Sequence, residues 1–62
     1  MKKYKVNILG YHTLSLYMHD EVNITVDAES KEDAEEQGKK WCDSHSYMGG
    51  YDYYVQFISE VN

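Results

Sequence analysis

The sequence predicts an α+β fold with the element order strand, strand, helix, strand. The expected architecture is a three-stranded antiparallel sheet in order 2-1-3, with one helix packed on one face. Three observations predict it. Apolar and polar residues alternate over Lys2–Tyr11, Glu21–Ala28 and Tyr51–Val61, the period of strands with one buried face. A helical stripe runs through Ser30–His45. Almost no linker separates the second strand from that helix.

In the first strand, Tyr4, Val6 and Ile8 share one face, and Lys3, Lys5, Asn7 and Leu9 the other. Gly10 is expected to bend or end it. Residues 12–20 are ambiguous: Leu14, Leu16 and Met18 alternate with Ser15 and Tyr17, which suits a partly ordered hairpin end or a loop. The second strand is the cleanest. Val22, Ile24, Val26 and Ala28 point one way, and Glu21, Asn23, Thr25 and Asp27 point towards water. The third strand is expected to bury Tyr51, Tyr53, Val55 and Phe57 and to expose Asp52, Tyr54, Gln56, Ile58 and Glu60.

The helix carries its own start signal. Ser30 can cap the first turn, and Asp33 stands where a capping box has Glu or Gln. Acid in the first half and Lys39 and Lys40 in the second complement the helix dipole. The buried stripe is Ala34, Gly38, Trp41, Cys42 and His45. Gly38 costs about 1 kcal/mol against alanine in a helix, which is tolerable where it lets the helix lie close on the sheet. Ser46–Gly50 is the return loop.

Residues 1–62 are expected to form a single domain. A chain this short buries only about 60% of its unfolded surface. It has little room for both a core and a deep active site. One cysteine excludes an internal disulfide. Neither a secretory signal pattern nor an apolar run of membrane-spanning length is apparent, so a soluble, cytoplasmic protein is expected. Asn23-Ile24-Thr25 matches a glycosylation triplet, but it falls within a strand and is read as chance. Net charge is −5, and all six basic residues are lysine. The lack of arginine argues against direct binding to nucleic acid and favours a basic partner surface.

Four groups could carry function. Cys42 and His45, with His12 and His19, are zinc-ligand types, but their spacing fits no ligand pattern and no metal or cofactor is expected. Cys42 paired with His45 or His12 would be a thiol–imidazole nucleophile. Its place on the apolar stripe makes it inert, so no catalytic residue is assigned and no enzyme is expected. An acidic patch includes Glu32, Glu35 and Glu36, ordinarily a solvated helix face and alternatively a docking surface. Finally, seven tyrosines, several of them surplus to so small a core, suit a binding surface.

The run Val22–Trp41 resembles the strand-then-helix segment of small DpnD/PcfM-like proteins of phages and mobile elements, through Val26, Ala28, Ser30, Glu32 or Asp33, and Ala34. It covers about a third of the chain and carries no catalytic residues. In size and acidity the chain is similar to phage-encoded inhibitors of host defence, including anti-CRISPR proteins. The resemblance implies a non-enzymatic binder that occupies a larger protein or nucleoprotein complex through a basic surface. The residues expected to engage it are Tyr47, Tyr51 and Tyr54, supported by Glu32, Glu35 and Glu36. The alternative is a homodimeric structural or accessory subunit, paired through the open sheet face or a strand edge.

Overall fold

The computed structural model describes residues 1–46 and 50–61, with the side chains of residues 15–18 outside that description. Its elements are β1 (Lys2–His12), β2 (Ser15–Ala28), α1 (Lys31–His45) and β3 (Tyr51–Val61). The strands form one antiparallel sheet in the order β2-β1-β3. The predicted ββαβ architecture is therefore the observed one.

The alternation of β1 decides the layers. Tyr4, Val6 and Ile8 are buried towards the helix. Fully burying a side chain such as Val6 or Ile8 is worth about 1.5–3 kcal/mol. Opposite them on β2, Val22, Ile24 and Val26 are only partly buried, because α1 leans towards β3. Ala28, Ala34 and Cys42 complete the buried set.

The helix begins as its sequence directs. Ser30 Oγ accepts from the Asp33 N–H at 3.2 Å. Asp33 Oδ2 reaches back to the Glu29 N–H at 3.1 Å. The shorter aspartate thus closes a capping box one residue outside the usual position. Glu35 pairs with Lys39 at 3.5 Å. A Cβ on Gly38 would lie 2.9 Å from Val6 Cγ1 and 3.0 Å from Val55 Cγ2. The helix therefore lies as close to β1 and β3 as a bare backbone allows.

Three expectations are corrected. First, β1 runs straight through Gly10 to His12. The Tyr53 ring occupies the space above Gly10, 2.6 Å from where a Cβ would stand, so this glycine accommodates a ring and does not end the strand. Second, β2 begins at Ser15, after a tight turn at Thr13 and Leu14, which extends the hairpin where partial order was expected. His12 Nδ1 accepts from the Leu14 N–H at 3.1 Å, and the Thr13 N–H donates to the Gly50 carbonyl at 2.8 Å. The register shifts here, since Tyr11 faces His19 but His12 faces Ser15.

The third correction matters most. Phe57 is 52% exposed, whereas Ile58 packs against the core. Val55 faces Ile8 and Phe57 faces Asn7, so Gln56 is an extra residue between them. This β-bulge reverses the phase of the strand. Residues before Gln56 follow the predicted faces and residues after it exchange them.

Gly38→Ala gains roughly 1 kcal/mol of helix propensity, but the overpacking against Val6 and Val55 costs about 1–3 kcal/mol. The expected net result is a lower urea midpoint. A raised midpoint would mean that the helix can ride away from the sheet without loss.

Candidate functional site

On the sheet face opposite the helix, the side chains of β1 and β3 converge on an apolar stripe. Leu9 pairs with Tyr54, and Asn7 with Phe57. Tyr11 packs its ring 5.9 Å from that of Tyr54. Tyr11 is 43% exposed and Tyr54 49%. The bulge is the reason that Tyr54 and Phe57, three residues apart, share this face. Polar residues of β2 border it: Glu21 beside Leu9, and Asn23 beside Asn7. Asp52 borders its far end and accepts from the Tyr54 hydroxyl at 3.4 Å. Grouped exposed aromatics of this kind mark interaction surfaces more often than scattered ones do.

Asn7 lies at the centre of this face and is only 3% exposed. Its amide nitrogen donates to Asn23 Oδ1 at 2.9 Å and to Glu21 Oε2 at 3.2 Å. Its Oδ1 is buried and has no hydrogen-bond partner among the described residues. An orphaned buried acceptor costs roughly 1–3 kcal/mol.

The other face carries a second set of rings near the helix C-terminus. Trp41 stacks on His45 at 4.0 Å and meets Tyr53 edge-on at 5.3 Å. His45 Nδ1–H donates to the Trp41 carbonyl at 2.8 Å, so His45 remains exposed and covers Trp41 from outside. Tyr51 lies between Tyr53 and His12. The Tyr53 hydroxyl donates to Asp20 at 3.4 Å. Loss of water, then the Asp20 charge and that hydrogen bond, then Tyr51, push its phenol above the ordinary value.

The residues expected to bind a partner are thus divided. Tyr54 joins the open stripe, while Tyr51 is half-buried among rings on the helix side. Tyr47 lies outside the described residues. Glu32 and Glu36 are exposed on the helix, and Glu35 faces β3 across a cavity it shares with Tyr54. Phe57 was assigned to the core and belongs to the stripe. Its sequence signal was ambiguous: Phe57 and Ile58 are adjacent apolar residues, so one had to face outwards.

Among the described residues, no group of three or more His, Cys, Asp or Glu is placed to hold a metal ion. No described helix is long and apolar enough to cross a membrane. Cys42 is buried. Burial first, then the charges of Asp43 and Asp52, push its thiol above the ordinary value of 9.0. No protein-family model matches the chain, and neither a curated protein nor a solved structure matches it.

Two predictions follow from these contacts. Asn7→Val removes the orphaned acceptor and leaves Glu21 and Asn23 to water. It should stabilise the fold by about 1 kcal/mol in urea unfolding, and a lower midpoint would contradict this account of Asn7. For Cys42, the raised folded value means that the unfolded chain loses its thiol proton first. The thiol's contribution is therefore complete below its ordinary value and is lost as pH rises through the folded one. Wild type should lose more stability above pH 9.0 than Cys42→Ala does. Equal alkaline losses would contradict the assignment.

Proposed function

We propose that this chain is a non-enzymatic binding protein that docks on a larger protein or nucleoprotein complex and blocks it, in the manner of the small phage-encoded inhibitors it resembles. The observation that carries this reading is the uncovered stripe of Leu9, Tyr11, Tyr54 and Phe57 on the sheet face opposite the helix. Aromatic anchors in the middle of a patch supply most of the energy of a protein interface. The net charge of −5 favours encounter with a basic surface and speeds association at low salt. The buried Asn7 acceptor beneath the stripe is a stability cost of the kind found where a surface is kept for binding.

The test is capture from a bacterial lysate at low and at high salt, with the retained proteins identified by mass spectrometry. A nucleic-acid-handling complex should be held at low salt and weakened at high salt. Phe57→Ser and Tyr54→Ala remove exposed rings and leave the core intact. Each should weaken capture by roughly 30-fold, the scale of an interface anchor of about 2 kcal/mol. Unchanged capture by both variants would remove the stripe from the interface. An empty capture, with the chain sedimenting as a dimer, would favour a homodimeric structural subunit instead.

A further inference from the structure

A groove follows the outer edge of β3. Two cavities of about 350 and 310 Å³ open into it and share Glu35 and Val55. The first touches Tyr53, Tyr54 and Val55 in succession, and the second touches Val55 to Ile58. Successive strand residues point to opposite faces, so a cavity that touches all of them lies at the strand's edge. That edge is free of other strands among the described residues, since β3 pairs with β1 alone. The opposite wall is the overhanging helix, through Lys31, Glu35, Lys39 and Asp43 at every fourth residue. The groove starts where Ser46 Oγ accepts from the Tyr53 N–H at 3.4 Å.

Lys31, Glu35, Lys39 and Asp43 cancel over the whole groove, but the charge at its Cys42 end is not balanced. Glu35 and Lys39 neutralise each other at 3.5 Å. Asp43 lines the first cavity, and Asp52, at the end of the open stripe, acts with it on the Cys42 thiol at the floor. No cation is paired with either aspartate among the described residues. The floor itself is apolar, made by Cys42 and Val55, with the Tyr53 and Tyr54 rings beside it. A long basic side chain matches this combination, with its stem on the floor and its charge near the carboxylates and rings. A second copy matches it less well: antiparallel pairing of β3 with β3 about a two-fold axis at Gln56 would set Asp52 of each copy opposite Glu60 of the other, and like charges directly opposite each other are destabilising.

We propose that the groove takes an extended, lysine- or arginine-bearing segment of the partner protein, added as a further strand along β3 with a basic side chain seated over Cys42. The inference rests on the binding reading above and names the chemistry of the partner. Main-chain pairing would supply affinity and the acidic pocket selectivity, as in other strand-addition complexes. Tyr54 and Phe57 belong both to the groove and to the open stripe, so one partner can cover the two surfaces together.

The test titrates the isotope-labelled full chain with a short peptide of alternating lysine and valine, followed by amide chemical shifts. Saturable shifts are expected at Tyr53 to Ile58 and at Lys39 and Asp43. A glutamate–valine peptide should not bind. A backbone N-methylated lysine–valine peptide keeps the charge but cannot pair with an edge, and should bind roughly tenfold more weakly. The double change Asp43→Asn, Asp52→Asn should weaken binding by roughly tenfold as well, the scale of lost charge-assisted contacts. Equal binding of the N-methylated peptide would reduce the effect to charge attraction and overturn strand addition. Shifts confined to Leu9 and Tyr11, or no saturable shifts, would also overturn it. Loss of the groove alone would leave lysate capture sensitive to Phe57→Ser. Failure of the binding reading would instead show as an empty lysate capture beside normal peptide binding.

Discussion

The close approach of α1 to the sheet at Gly38 is the constraint on which the rest of the structure depends. With no Cβ at this position, the helix backbone settles directly on Val6 and Val55. Those residues belong to β1 and β3, so the helix sits over that pair of strands and leaves the β2 side partly exposed. The same placement makes the helix overhang the β3 edge and roof the groove there. The molecule is 39 Å long, whereas a 15-residue helix spans only about 22 Å. The hairpin end therefore projects beyond the helix, and the His12 and Tyr51 rings pack there edge to face.

The bulge at Gln56 is the second determinant. A strand without it would turn Phe57 to the core and Ile58 to water. With it, Ile58 fills the space beneath the helix and Phe57 joins Tyr54 and Leu9 on the open face. One extra residue thus decides which apolar surface the protein keeps and which it presents. The bulge also breaks the regularity of an edge that would otherwise pair readily with any extended chain. Such an edge is less regular than a flat one.

Electrostatics and packing act together around Cys42. Burial, then the charges of Asp43 and Asp52, push its thiol above the ordinary value, and its side chain forms part of an apolar floor. Asp43 also lines the space above that floor, beside the Glu35–Lys39 pair. The chain as a whole carries a net charge of −5.

Much of the fold was legible from residues one at a time. Alternation in β1 and β2, the Ser30 cap, and the Ala34–Gly38–Cys42 stripe are local patterns, and each appears where its period places it. The exposed Tyr54 was legible for the same reason. Phe57 was not, because a bulge adds a residue without leaving a mark in the alternation, and only pairing with β1 reveals that Asn7 and Ile8 face residues two apart on β3. Gly10 misled for a related reason: its meaning depends on the Tyr53 ring, which is 43 residues away in the chain. The division of Tyr51 and Tyr54 between the two faces follows the strand period, but what each face meets does not. The sequence by itself determined the elements, their order and the acidic character of the surface, since these rest on periodicity, capping and composition. Tertiary structure alone decided the phase of β3 and with it the open stripe and the edge groove, since both arise from contacts between residues far apart in the chain.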